Sequence, residues 1–184
     1  MDPLPRAGNQ LRSDAWVIRP AEKLDLVPLW GLIHAFAVYE RLEHLASGTP
    51  EQLGANLFGE AWPKLDCIVA ESDGGLCGYA IFYGGYSTFW TRPLLWLEDI
   101  YVGESHRGRG LGKALMAEVA RVALERGCPR MDWAVLDWNT PAIEFYQRLG
   151  ATRHGGWHTY RLDAEQMRAL VGENPRGRND RPAG

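Results

Sequence analysis

The run Arg107-Gly108-Arg109-Gly110-Leu111-Gly112-Lys113 lies between an apolar stretch that ends near Val102 and a helical pattern that begins near Gly110. A glycine-rich turn from strand to helix leaves backbone N–H groups free at the positive end of the helix, a cradle suited to phosphate. Glycine also lets a ligand approach the backbone without Cβ clashes. Two common phosphate loops do not fit. A Walker A loop needs glycine where Arg107 stands and a hydroxyl where Ala114 stands. The dinucleotide fingerprint needs glycine at the position of Lys113 and a β-α-β setting at the N-terminus. What remains is Arg-x-x-Gly-x-Gly, carried by Arg107, Gly110 and Gly112. The competing reading is a tight strand-to-helix turn with no ligand.

Working outward from the turn, Leu111, Leu115, Val119, Val122 and Arg126 trace a helix that Gly127 and Pro129 close. Met131–Leu136 reads as a strand, Thr140–Leu149 as a short helix ended by Gly150, and Trp157–Leu162 as a last strand. Upstream, Cys67–Glu71 and Gly78–Tyr83 flank Asp73-Gly74-Gly75, a hairpin signal, and Leu94–Val102 follows Arg92-Pro93. Nearer the N-terminus, Trp16–Arg19 forms a strand stopped by Pro20. Leu26, Leu29, Trp30, Ile33, Ala37 and Val38 then recur at helical spacing. Residues 47–64, with several Gly and Pro, read as a loop containing a short helix. An antiparallel meander passing into a β-α-β unit predicts an α/β fold, a mixed, mostly antiparallel sheet with helices on both faces.

At 184 residues the chain has room for one domain. Its composition, 46% hydrophobic and 23% charged, is that of a folded protein. Residues 1–14 lack periodicity and residues 172–184 are rich in Gly, Pro, Asn and Arg, so both ends are expected to be disordered around a domain at 15–171. A net charge of −3 argues against a nucleic-acid partner. No apolar run is long enough for a membrane span, and the N-terminus lacks the apolar centre of a secretory signal. Cys67, Cys77 and Cys128 are too few and too scattered for a disulfide framework or a zinc site, and the five histidines have no metal spacing. A cytoplasmic protein without a metal is the expectation.

Several residues invite chemistry. Glu98 and Asp99 are adjacent carboxylates in an apolar strand, a costly placement unless they are paired, and an ion pair with arginine is the competing reading. Strand neighbours face opposite sides, so the two serve different purposes. Glu40 and Glu43 are spaced to share a helix face and attract an ammonium, with Tyr39 or Trp90 lending a ring face; a solvated charged face is the alternative. Asn139 precedes Thr140-Pro141 and is placed to cap a helix.

Arg107, Gly110 and Gly112 resemble the pyrophosphate motif of the GCN5-related N-acetyltransferases, which bind acetyl-CoA. Further segments resemble one branch of that superfamily, the spermidine/spermine acetyltransferases and their diamine- or thialysine-acetylating relatives. These are Ala37-Val38-Tyr39-Glu40, Phe58-Gly59-Glu60, Cys67–Glu71, Leu97–Val102, Ala134–Asn139 and Phe145-Tyr146-x-x-Leu149-Gly150-Ala151. The resemblance spans about residues 16–162. Tyr86-Ser87-Thr88-Phe89-Trp90 lacks the carboxylate of the spermidine/spermine members and looks more like the thialysine-type loop.

The resemblance implies a role for each residue. Arg107, Gly108, Arg109, Gly110, Leu111, Gly112 and Lys113 would hold the coenzyme pyrophosphate. Ile100, Tyr101 and Val102 would pair with the pantetheine arm, and Asn139 would bind its amides. Glu98 would draw the proton from the amine through water, and Tyr146 would protonate the departing thiolate. Tyr39, Glu40, Trp90, Glu98 and Asp99 would hold the cationic substrate. Tyr146 also fits a packed helix face beside Ile143 and Leu149. The expected reaction is direct acetyl transfer from acetyl-CoA to a primary amine of a diamine, thialysine-like amino acid or polyamine. The site motifs contain no cysteine for a covalent route. The branch's habit implies a homodimer. The alternatives are another amine, such as an aminoglycoside or a protein N-terminus, and a non-catalytic acyl-CoA-binding module.

Overall fold

The two apolar runs around Asp73-Gly74-Gly75 become β3 (Asp66–Ser72) and β4 (Gly75–Ser87), paired from Asp66↔Phe82 to Ser72↔Gly75. They centre a six-stranded sheet in the order β1-β2-β3-β4-β5-β6. The structure, a computed structural model, describes residues 11–13 and 15–172. The chain divides into two units, one up to Ala142 and one from Ile143 onward.

In the first unit, β2 (Trp16–Pro20) runs antiparallel to β3, and β5 (Arg92–Val102) antiparallel to β4. The β4–β5 ladder contains the irregularity that matters most. Ile81 pairs with Asp99 and Phe82 with Leu97, which leaves Glu98 as the extra residue of a β-bulge. On one face, α1 (Leu26–Glu40) and α2 (Pro50–Phe58) cover the sheet, with Leu29, Leu57, Cys67, Val69, Tyr79 and Ile81 buried together. Thr49 and Gln52 start α2 with a reciprocal cap, in which Gln52 N donates to Thr49 Oγ1 and Thr49 N to Gln52 Oε1. The buried face of α3 (Leu111–Glu125) consists of Leu111, Leu115, Met116, Val119 and Val122. Gly78 is required where β4, β5 and α3 converge: a Cβ there would stand 2.9 Å from the Tyr101 carbonyl oxygen and 3.4 Å from Leu115 Cδ1.

Two ion pairs tie distant segments. Arg19 Nη1 reaches Asp25 Oδ2 at 2.6 Å and Nη2 reaches Glu71 Oε2 at 3.1 Å, joining β2, the start of α1 and β3. Arg126 reaches Asp66 at 2.5 Å, joining the end of α3 to the start of β3.

The structure corrects four expectations. Leu11–Ser13, inside the segment expected to be disordered, form β1 against β2, with Leu11↔Ile18 and Ser13↔Trp16. Main-chain pairing makes this strand, and Ser13 Oγ closes its turn by accepting from Ala15 N and Trp16 N. Residues 1–10, 14 and 173–184 lie outside the described residues. The strand expected over Met131–Leu136 shrinks to β6 (Met131–Asp132), parallel to β5 at Leu95 and Trp96 only. The pairing ends at Trp96, two residues before the bulge at Glu98. Trp157–Leu162 is not a strand among the described residues: it has no partner to complete a ladder, and Trp157, Tyr160 and Leu162 are exposed. Glu43 does not share a helix face with Glu40. α1 ends at Arg41, which is left-handed at φ 60°, and Glu43 opens a separate 3-10 turn.

The second unit contains most of α4 (Thr140–Arg148) and α5 (Ala164–Leu170). Gly150, at φ 88°, follows the helical end of α4. α5 was not expected, although Asp163-x-x-Gln166 carries a capping signature. Asp163 Oδ1 accepts from Gln166 N at 2.9 Å and Gln166 Oε1 accepts from Asp163 N at 2.8 Å.

Candidate active site

The glycine-rich turn enters α3 through two left-handed residues, Gly108 (φ 75°) and Gly110 (φ 82°). A side chain at either would be strained, although nothing stands within 4 Å of a Cβ there. The turn is open on its outer side, anchored beneath by buried Leu111, and it presents the first N–H groups of α3 outward. Arg109 and Lys113 are exposed beside it. These residues fit a pyrophosphate group. Arg107 turns elsewhere: its Nε donates to the Val102 carbonyl at 2.9 Å, and its guanidinium lies 4.8 Å from the Tyr39 ring centre and 5.5 Å from that of Tyr101. Its charge therefore serves the rings at the end of α1 as well as the turn.

Past Trp96↔Asp132, β5 continues to Val102 without β6 alongside. That stretch contains Ile100, Tyr101 and Val102, and its departure from β6 leaves room for an extended ligand chain to pair with the strand.

The two carboxylates are separated in environment, because Glu98 is the extra residue of the bulge and Asp99 opposes Ile81. Glu98, in the bulge, is exposed and accepts a hydrogen bond from Trp96 Nε1 at 2.9 Å. Tyr83 lies beside it, and its hydroxyl is pushed up by burial and then by the Glu98 charge. Asp99 is partly buried, and its carboxyl is pushed up to about 7 by burial, then by Glu98 and Glu40. No guanidinium is among the groups that shift it, so the structural ion pair does not describe Asp99. Burial also raises Glu40. The carboxylates of Glu40 and Asp99 thus act on each other from α1 and β5.

Around the end of α1, the Tyr39 hydroxyl donates to Asn139 Oδ1 at 3.1 Å, and the Tyr39 and Trp138 ring centres are 6.3 Å apart. Asn139 is buried, and the same Oδ1 accepts from Ala142 N at 3.3 Å, so Asn139 caps α4 as its position predicts. Trp90 is not brought to this cluster. It sits at the β4–β5 hairpin tip, where Ser87 pairs with Arg92, with Arg130 stacked 4.9 Å from its ring. Asp99 lies roughly 20 Å further along β5 by strand rise. Tyr146, in the second unit, is partly buried on α4 and contacts Phe145 with ring centres 5.3 Å apart.

Sequence reasoning missed three participants. Trp96 and Tyr83 bracket Glu98, and Tyr79 is buried in the α1-facing layer with a hydroxyl that has no hydrogen-bond partner among the described residues. An aromatic residue in an apolar strand carries no sequence signal beyond core packing.

The sequence matches the acetyltransferase (GNAT) family over residues 33–151. The chain belongs to that family. It is 40% identical over 168 residues to thialysine N-epsilon-acetyltransferase of Sus scrofa, covering 85% of this chain and 98% of that protein. It is 28% identical over 197 residues to L-ornithine N5-acetyltransferase of Arabidopsis thaliana, covering 83% and 86%. Among solved structures, an integron cassette protein of V. cholerae superimposes with a TM-score of 0.71 at 22% identity, covering 86% of this chain and 99% of that one. The fold is the family's fold. The chain is an N-acetyltransferase of the acetyl-CoA-dependent kind, which sets aside the non-catalytic module.

Proposed function

We propose that the enzyme acetylates a primary amine of a small cationic substrate, of the thialysine and ornithine class, by direct attack on acetyl-CoA. The single observation that carries the substrate class is the partly buried Asp99 carboxyl, pushed up by burial and by the Glu98 and Glu40 charges, with no arginine among those groups. Arg107 lies over the Tyr39 and Tyr101 rings but is not among the groups that shift Asp99, which leaves that carboxylate for a substrate cation. The names of the relatives support the same class.

Acetyl-CoA supplies the thioester acetyl group. The Gly108–Lys113 turn and the open stretch of β5 hold the coenzyme, and Asp99 and Glu40 receive the ammonium. The amine nitrogen, once deprotonated, attacks the carbonyl carbon; the C–N bond forms and the C–S bond breaks. A β5 backbone N–H near Ile100 steadies the oxyanion, and Tyr146 returns a proton to the thiolate. All three cysteines are buried with thiols pushed up, which supports a route without a cysteine intermediate.

The resemblance assigns the proton-accepting role to Glu98, through water. One observation favours Asp99 instead: a carboxyl near 7 is matched to taking a proton at neutral pH. Glu98 would then orient water from the bulge. Initial rates for Glu98→Gln and Asp99→Asn across pH separate the two readings, because only the acceptor's variant loses the acidic limb.

We further propose a cytoplasmic homodimer. Unpaired buried thiols suit a reducing compartment, and the exposed Trp157, Tyr160, Leu162 and Leu170 support a partner surface. Light scattering tests the dimer. The function itself is tested by thiol release from acetyl-CoA with thialysine, ornithine, 1,3-diaminopropane, spermidine, an aminoglycoside and an N-terminal peptide. The first three are expected to react fastest. Turnover confined to the last two would overturn the substrate class.

A further inference from the structure

The β4–β5 register puts Tyr79 opposite Tyr101 and Ile81 opposite Asp99. Residues two apart on a strand share a face, so these four side chains lie on the face that α1 and α2 cover. Tyr79 and Asp99 are diagonal neighbours across the ladder. Such neighbours lie about 7–8 Å apart at the backbone, within reach of a tyrosine side chain. The Tyr79 and Tyr101 rings are tilted with centres 6.2 Å apart, and Phe36 of α1 lies 5.6 Å beyond Tyr101. These rings hold the phenol in one place.

Tyr79 is fully buried, yet its hydroxyl has no hydrogen-bond partner among the described residues. Phenylalanine would fill the same space without burying a polar group. The charges acting on this hydroxyl, after burial itself, are those of the Asp99 and Glu40 carboxylates. It therefore sits on the acidic side of the core. Burial and these neighbours keep the phenol protonated, so its O–H remains a donor at every working pH.

The nearest use for that donor is Asp99. In the free protein, burial, Glu98 and Glu40 hold Asp99 toward its neutral form. An ammonium placed between Asp99 and Glu40 makes the charged form the stable one. A charged carboxylate is a hydrogen-bond acceptor about twice as strong as a neutral one. We propose that Tyr79 is a positioning residue whose O–H donates to the Asp99 carboxylate when the substrate ammonium binds, turning that carboxylate toward the amine. This rests on the reading that Asp99 faces the amine.

The test compares the full-length wild type with Tyr79→Phe, using 13C-labelled aspartate and assigning the Asp99 carboxyl with Asp99→Asn. Titrations are run with coenzyme A alone and with coenzyme A plus thialysine. With coenzyme A alone the two proteins are expected to differ less, because the ammonium that turns the carboxylate is absent. With thialysine present, Asp99 in Tyr79→Phe should titrate about one pH unit higher than in the wild type, the tenfold worth of one charge-assisted hydrogen bond. kcat/KM for thialysine should fall about tenfold with acetyl-CoA affinity unchanged, and the melting temperature should hold or rise. Identical Asp99 titrations in the two thialysine complexes would overturn the proposal. So would a fall in melting temperature with an unmoved pH profile, the mark of a packing role. Should Tyr79→Phe fail to fold, Tyr79→3-fluorotyrosine replaces it. That more acidic phenol donates more strongly and should move Asp99 downward, and no movement counts against the proposal. If the wild type turns over no small cationic amine, the functional reading fails and takes this inference with it. If the wild type does so and the titrations coincide, only the inference fails.

Discussion

Asp99→Asn should make the protein more stable at high pH and leave it unchanged at low pH. Asp99 sits among Glu98 on its own strand, Glu40 of α1, Tyr79 of β4 and Cys67 of β3, and burial contributes most to raising its carboxyl from 3.8 to about 7. The folded state thus holds this proton more tightly than the unfolded chain does. Between about pH 4 and pH 7 the folded protein binds more protons, so stability falls as pH rises and levels off above 7. Each pH unit in that window is worth about 1.4 kcal/mol, which sets an upper limit near 4 kcal/mol. Asp99 is partly reached by solvent and shares its repulsion with Glu40, so about 2 kcal/mol is the working value. Asparagine has no charge to lose, so the variant escapes the whole effect. Urea unfolding of both proteins at intervals from pH 4 to pH 9 should show curves that coincide near pH 4 and diverge to about 2 kcal/mol by pH 8. A constant difference across the range, or a variant weaker at pH 8, would refute the argument, because either means Asp99 is not a destabilised carboxylate.

Tyr146→Phe should lower kcat by about 100-fold or more, with acetyl-CoA affinity nearly unchanged in calorimetry, since general-acid help contributes 10²–10⁴-fold. Gly78→Ala should cost about 1–3 kcal/mol in thermal or urea unfolding, because its Cβ meets the Tyr101 carbonyl oxygen at 2.9 Å. Arg19→Met should cost about 2–4 kcal/mol at pH 7, because it strips the partner from buried Asp25. Asp25 is held below its ordinary range by that guanidinium and by Glu22 N–H, against the upward push of its burial, so the penalty should shrink as pH falls through the carboxylate range.

The sequence disclosed those parts of the fold that local chemistry dictates. Left-handed backbone at Gly108 and Gly110 demands glycine, and the demand shows as a motif. The β3–β4 hairpin shows because alternation and Asp73-Gly74-Gly75 agree. Asn139 shows because a cap must stand at a helix start. What stayed hidden depends on partners. A bulge is a relation between two strands, so nothing in Leu97-Glu98-Asp99 marks Glu98 as the extra residue. β1 exists through pairing with Ile18 and Trp16, and its own residues carry no pattern. Trp157–Leu162 has the composition of a strand, but no neighbour supplies the ladder. The unpartnered Tyr79 hydroxyl was invisible for the same reason, since burial and partners belong to the folded state.

β5 carries both Asp99 and the Ile100–Val102 stretch proposed for the coenzyme arm, and a bulge interrupts it at Glu98. At Leu95 and Trp96, β5 is held on both edges, by β4 and β6. At Glu98 the extra residue shifts the ladder, so that Glu98 reaches Trp96 and solvent while Asp99 enters the layer with Tyr79 and Glu40. The strand, already free of β6 after Trp96, ends at Val102, whose carbonyl accepts from Arg107 Nε at the entrance to the glycine turn. The shift sets Asp99 opposite Ile81, and any change that restores regular pairing at Glu98 should move Asp99 out of that position.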